Sequence, residues 1–378
     1  MRGIAIAQVL VFHFFFWAQA PDSHTPGWIR QMHNYLHRFA GLTWSGVDLF
    51  FVLSGFLIGG ILLDARASPN YFKAFYARRV FRIFPIYYAW LAAYVLVMAL
   101  AGRILATRIP GGAAWESWPA LAAQLMFLQN FRWLPYGSAI GVNWFRPTWS
   151  LAIEEQFYFI APAVIRFLNR RRLYVFLGLV ILSAPLVRSY IHFHLPAQNS
   201  DVLGLAYTLM PCRADALAFG VLAALLWRNT RFRVWLSERG FVLVAAVSIF
   251  LVGFVALGKW APAYDSLAEQ SVGYTWIAFF YALVLLLVLA RPGGWLAAFT
   301  RVAWMRELGK VSYCVYLIHS AVGMFCGLFL TGVLQRSVGS WEQIAMGGVA
   351  AVVTYGIARL SWAYFENPLL KQGHKYRY

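Results

Sequence analysis

The chain has 378 residues, 61% of them hydrophobic and 12% charged, with a mean hydropathy of +0.61. So little polar surface cannot keep a globule of this size in water, which leaves a polytopic membrane protein. The net charge of +18 does not point to nucleic acid, because the Lys and Arg fall in clusters between apolar runs, where membrane topology is written. Cys212, Cys314 and Cys326 lie in or beside apolar segments without CxxC spacing, which indicates neither a disulfide framework nor a zinc site.

Apolar windows predict ten transmembrane helices, near 3–20, 46–63, 83–101, 149–168, 173–190, 209–227, 240–258, 272–290, 312–331 and 343–363. They form an all-α, single-domain membrane protein over 1–378. The first window carries Arg2 at its start and His13 near its middle. Eleven helical residues turn through about 1100° and climb about 16 Å, so both side chains leave one face about half a bilayer core apart. Ala18-Gln19-Ala20 resembles a signal-peptide cleavage site, but Gln8 and His13 fit a signal's apolar region poorly, and the segment is read as a retained span.

In the second window, Gly55-x3-Gly59 predicts close approach of another backbone. Asp48 is placed to anchor a polar ligand or to meet a basic neighbour, while Ser54 lacks a nucleophile-elbow pattern. The following loop holds Arg78, Arg79 and Arg82. Arg79 and Arg82 share a helix face at i, i+3, a fork suited to phosphate or to anionic lipid headgroups. The segment 118–131 is too short for a confident span and contains Gln124, Gln129 and Asn130, so it is read as re-entrant or interfacial.

The string Trp149-Ser150-Leu151-Ala152-Ile153-Glu154-Glu155 puts two carboxyls in one apolar run. They point about 100° apart, so one can serve proton transfer or orient a hydroxyl while the other holds an Arg. Arg213 and Asp215 stand two residues apart, each free to pair with another helix or to touch a ligand. Near the end, Tyr313 follows Ser312, and Ser312, Tyr316 and His319 form a helical stripe in which His319 reads as structural. Glu366-Asn367-Pro368 closes the last span, where Pro stops the helix and Glu366 can meet a basic residue. His33 and His37 stand at i, i+4 without nearby carboxylates, and no metal site is expected.

With residue 1 inside, 21 Lys and Arg fall in inner segments and nine, Arg188 among them, in outer ones. This asymmetry predicts both termini and the 64–82 loop on the cytoplasmic side.

Arg2-x10-His13, GVDLFFVLSGFLI, Arg79-x-x-Arg82, WSLAIEEQFY, CRADALAFG, LGKVSYCVYLIH and FENP, in this order, resemble the acyltransferase-3 family of integral membrane acyltransferases over essentially the whole chain. The resemblance implies about ten helices in a bacterial inner membrane. It also implies transfer of an acyl group, usually acetyl from acetyl-CoA, to a hydroxyl of an extracytoplasmic carbohydrate, with acyl-CoA as co-substrate and no metal or redox cofactor. His13 would be the catalytic histidine, with Arg2 its motif partner and Glu154 a further catalytic group. Arg79, Arg82 and Arg78 would bind the donor. Asp48, Trp149, Ser150, Glu155, Arg213, Asp215, Tyr313 and His319 would be acceptor-side or structural polar residues. Some relatives carry a fused esterase-like domain, so the chain is expected to act alone or with a separate acceptor-side partner. The rival reading is a transporter or flippase of a lipid-linked sugar, using the same charges as a relay.

Overall fold

The structure, a computed structural model, describes residues 1–16, 27–108, 117–131, 139–194, 200–260, 266–331 and 340–378. Helix α1 (Arg2–Val11) widens into a π-helical turn at Phe12–Phe16. Helix α2 (Gly27–Leu42) leads to α3 (Gly46–Asp64) and the long α4 (Tyr71–Arg108). The short α5 (Trp118–Leu125) and α6 (Ala139–Phe145) precede α7 (Trp149–Phe167) and α8 (Arg170–His194). Next come α9 (Ser200–Thr208), α10 (Met210–Trp227), α11 (Thr230–Glu238) and α12 (Gly240–Trp260), and a second π turn at Glu269–Gly273 opens α13 (Tyr274–Ala290). After α14 (Trp295–Thr300) and α15 (Ala303–Lys310) the chain runs through α16 (Ser312–Thr331) and α17 (Ser340–Ser361), then a π turn at Trp362–Glu366 and α18 (Asn367–Gly373). There is no strand among the described residues.

Eight of the described helices are long and apolar enough to cross a membrane. The first window is helical over Arg2–Phe16, below that length. The α7 window is long enough but holds Glu154, Glu155 and Arg166. Large apolar side chains such as Leu179, Leu182 and Leu186 on α8, Val252 on α12 and Val352 on α17 face outward, where lipid and not water is the compatible solvent.

At the α3–α10 crossing two glycines replace side chains with backbone. A Cβ on Gly55 would strike the Leu217 carbonyl, and one on Gly220 would strike the backbone of Val52 and Phe56. The close approach expected for Gly55 is therefore present, and Gly220 is its counterpart on the partner helix.

The segment 118–131 does not cross. Eight helical residues of α5 climb about 12 Å, after which Phe127 turns back with φ 55°, its ring stacked 4.4 Å from that of Tyr87 midway along α4. Gln124 accepts from Tyr87 and Thr148, Gln129 donates to the Thr148 carbonyl and Asn130 to Thr208. Non-helical backbone at this depth is tolerated because protein surrounds it.

One end of the bundle gathers the basic loops. Arg66 donates to the carbonyls of Arg166 and Leu168, capping α7. Arg228 pairs with Asp64 and Arg359 with Glu307; α15 packs on the start of α1, and α18 on α4. Glu307 also pairs with Lys310, and Lys310 and Arg359 together hold its carboxyl below the usual carboxylate range. One charge counted as outer-loop changes place: Arg188 lies within α8, 0% exposed, bonded to Asp215. A single Arg close to the end of an apolar window reads as a loop residue unless its partner, here on α10, is known.

Candidate active site

From the basic end a cavity opens into the bundle between α1, α3, α4, α7 and α16, enclosing about 750 Å³ of non-atom space with the solvent at its mouth included. Its walls bring together Arg2, Arg79, Arg82, Glu154, Glu155 and Tyr313, all singled out by sequence, over an apolar floor that includes Phe50, Phe51 and Leu151. The two glutamates, consecutive on α7, both reach the cavity because it meets one broad face of that helix, which also carries Ser150, Leu151 and Tyr158. Arg2 and Arg82 are within electrostatic range of Glu154, and Arg79 of Glu155. None of the three arginines forms an ion pair among the described residues, and Arg79 Nε is buried without a hydrogen-bond partner. Three guanidiniums in one cleft with their donors unspent form an anion-receiving site.

Along one wall a short polar chain is already connected. Tyr158 donates to Glu154 Oε2 at 3.1 Å, and its hydroxyl lies 2.7 Å from Ser54 Oγ. At the inner end Tyr316 closes the space, its hydroxyl 2.5 Å from Ser150 Oγ and its ring edge-on to Phe50 at 5.9 Å. Tyr316 stands in the helical stripe read from sequence with Ser312 and His319, whereas Tyr158 is not singled out there, since tyrosines in apolar helices ordinarily pack; its i, i+4 spacing from Glu154 is the available signal.

Behind Tyr316 lie two imidazoles. His13, carried on the π turn, has its ring centroid 4.7 Å from that of His319 on α16, at an interplanar angle of 74°. His13 Nδ1 meets the Val9 carbonyl at 3.0 Å and His319 Nδ1 the Tyr316 carbonyl at 2.7 Å. A carbonyl oxygen only accepts, so each Nδ1 carries its hydrogen, and in the neutral ring Nε2 then holds the lone pair. Neither ring lines the cavity, and Tyr316 stands between it and His319.

The remaining singled-out residues are elsewhere. Arg78 donates to the Tyr376 carbonyl at 2.8 Å and lies over the Tyr378 ring at 4.8 Å. Trp149 packs on Tyr207 and Phe51. Arg213 pairs with Asp48 at 2.5 Å, its guanidinium over the Tyr274 ring at 4.4 Å, and Asp215 takes Arg188 at 3.0 Å. Arg213 and Asp215 thus reach different partners on other helices.

A family model described as an acyltransferase domain matches residues 1–361. The chain is 26% identical to the O-acetyltransferase OatA of Staphylococcus aureus (strain NCTC 8325 / PS 47), over 87% of this chain and 53% of that protein. It is also 26% identical to the peptidoglycan O-acetyltransferase OatA of Listeria monocytogenes serovar 1/2a, over 99% of this chain and 55% of that protein. The chain spans about half the length of the curated relatives it matches. No solved structure matches it.

Proposed function

Because the chain belongs to the acyltransferase-3 family, we propose that it transfers an acyl group, with acetyl the reference case, from cytoplasmic acyl-CoA to a hydroxyl of an extracytoplasmic glycan. The observation that carries this is the cavity with three guanidiniums outside any ion pair. A CoA tail offers phosphates to such a cleft, and an apolar floor suits the pantetheine that follows. The excess of basic loops at the cavity's mouth supports a cytoplasmic entrance and both termini inside. The name of the Listeria relative supports a peptidoglycan-like acceptor.

In this reading Arg79 and Arg82 hold phosphate, Arg2 guides the chain inward, and Glu154 with Tyr158 and Ser54 orients polar groups at the inner wall. Rotation of Tyr316 away from Ser150 joins the donor cavity to the histidines. His13 Nε2 takes the proton as the acceptor O–H breaks and the new O–C bond forms. The C–S bond breaks, and the proton passes to the departing thiolate. General-base catalysis of this kind contributes on the order of a hundredfold or more.

The test is purified protein in lipid vesicles with radiolabelled acetyl-CoA and peptidoglycan fragments. Label moves to the fragment with the wild type, and His13→Ala loses transfer by about a hundredfold while binding donor normally. Transport of an unmodified lipid-linked sugar without thioester cleavage would replace this reading with that of a carrier.

A further inference from the structure

His319 is 0% exposed, and its Nε2 has no hydrogen-bond partner. Burying an acceptor without a partner is unfavourable, so a position needed only to fill space would be better served by Phe or Met. The surroundings strengthen the point. The ring is fixed through Nδ1 on the Tyr316 carbonyl, with the rings of Phe14 at 6.2 Å and His13 at 4.7 Å from it. A lone pair is thus held, dry and in a set tautomer, beside the ring proposed to carry a proton. The same α1 segment leaves α-helical geometry for a π turn at Phe12–Phe16, a local irregularity that often marks functional positions.

We propose that His319 is a positioning residue for acyl transfer, its neutral Nε2 accepting a hydrogen bond from His13 while His13 holds the acceptor's proton. This rests on the proposed function. A protonated imidazole in an apolar aromatic pocket is unfavourable unless a hydrogen-bond acceptor compensates it. A neutral imidazole does so without bringing a second charge. No proton transfers to His319: the His13 Nδ1–H stays on the Val9 carbonyl, the proton from the acceptor hydroxyl goes to His13 Nε2, is held there in the hydrogen bond to His319 Nε2, and then departs with the CoA thiol. The Tyr316 backbone that fixes His319 belongs to the residue whose side chain closes the cavity, so one turn of α16 sets both features.

Two substitutions separate this from packing. His319→Phe keeps an aromatic ring and removes the acceptor; His319→Gln loses the ring but restores an oxygen acceptor at about the depth of Nε2. Both are compared with wild type in lipid vesicles, reading acetyl-CoA affinity by equilibrium binding and kcat by thioester cleavage with peptidoglycan fragments present as the acceptor. His319→Phe should lower kcat at least thirtyfold with donor affinity within twofold of wild type. His319→Gln should return kcat to within about fivefold of wild type. Equal kcat in His319→Phe and wild type overturns the proposal, as does an equal loss in both variants accompanied by loss of donor binding or folded protein. A wild type that neither binds nor cleaves acetyl-CoA overturns the functional reading and this inference together, whereas intact wild-type cleavage with an unaffected Phe variant overturns the inference alone.

Discussion

Two sets of buried charge, one joining α3, α8 and α10 and the other lining the cavity, are built in opposite ways. Asp48–Arg213 and Asp215–Arg188 are paired, with every side chain at most 2% exposed. Arg188 also donates to the carbonyls of Cys212 and Gln270 and to Thr275. Around the cavity, Arg2, Arg79, Arg82, Glu154 and Glu155 share a space without closing into ion pairs. Both sets bear the desolvation cost of charge at membrane depth. The first recovers part of it by ion pairing within the protein, though Asp48 Oδ2 and Arg213 Nε and Nη1 have no hydrogen-bond partner; the second retains charge for something that enters. An ionisable residue in a span is therefore a question, and pairing within the bundle answers it.

The sharpest break in this comparison is Arg213→Leu, which strands the Asp48 carboxylate and should destabilise the fold by about 3–5 kcal/mol. It should appear as loss of monodisperse protein on size-exclusion chromatography after mild heating. Combining it with Asp48→Leu should recover most of the loss, because removing both charges removes the stranded one. In the cavity the order reverses. Arg79→Ala or Arg82→Ala should leave folded protein unchanged and weaken acetyl-CoA binding about tenfold, the scale of one charge-assisted contact. The loss should shrink in high salt, since screening weakens the wild type most. Unchanged affinity in both variants would assign these arginines to lipid anchoring.

A smaller effect is expected at the polar wall. Tyr158→Phe removes the donor to Glu154 and the link to Ser54 and should reduce transfer several-fold, within what one hydrogen bond contributes, without changing donor affinity. The smallest belongs to the exposed cluster at Glu307, whose carboxyl is held low by Lys310 and Arg359. A depressed carboxylate contributes stability above its unfolded value, and that contribution disappears as pH falls through the folded one. Glu307→Gln should therefore melt slightly below wild type at neutral pH, and the difference should vanish in strong acid. A gap that widens in acid would reverse that sign.

Much of the architecture was legible because charge inside an apolar window is conspicuous in one dimension. Arg2, Glu154 and Glu155 are visible that way, Arg79 and Arg82 through their i, i+3 spacing in a basic loop, and the backbone contact at Gly55 through Gly55-x3-Gly59. The convergence of α1, α3, α4, α7 and α16 on one cavity was not, since it depends on contacts far apart in sequence, such as Ser150 with Tyr316, 166 residues on. Arg188 reads as a loop charge in the sequence because its partner, Asp215, lies on a different helix. His319 looked structural on its own; its meaning changes only when His13 is seen beside it. The π turn under His13 has no sequence signature, for Phe12–Phe16 reads as ordinary apolar helix.

The central claim is that the cavity of unpaired guanidiniums receives acyl-CoA, and the most direct measurement is photo-crosslinking. An acetyl-CoA analogue with a photoreactive group on its acyl end is illuminated with the protein in lipid vesicles, and the attached peptides are read by mass spectrometry. The account predicts attachment on the segments around Phe50–Ser54 and Ser150–Tyr158, abolished by excess acetyl-CoA and reduced in Arg79→Ala. Attachment confined to the segments around Arg188 and Asp215, or labelling that acetyl-CoA does not compete away, would contradict it.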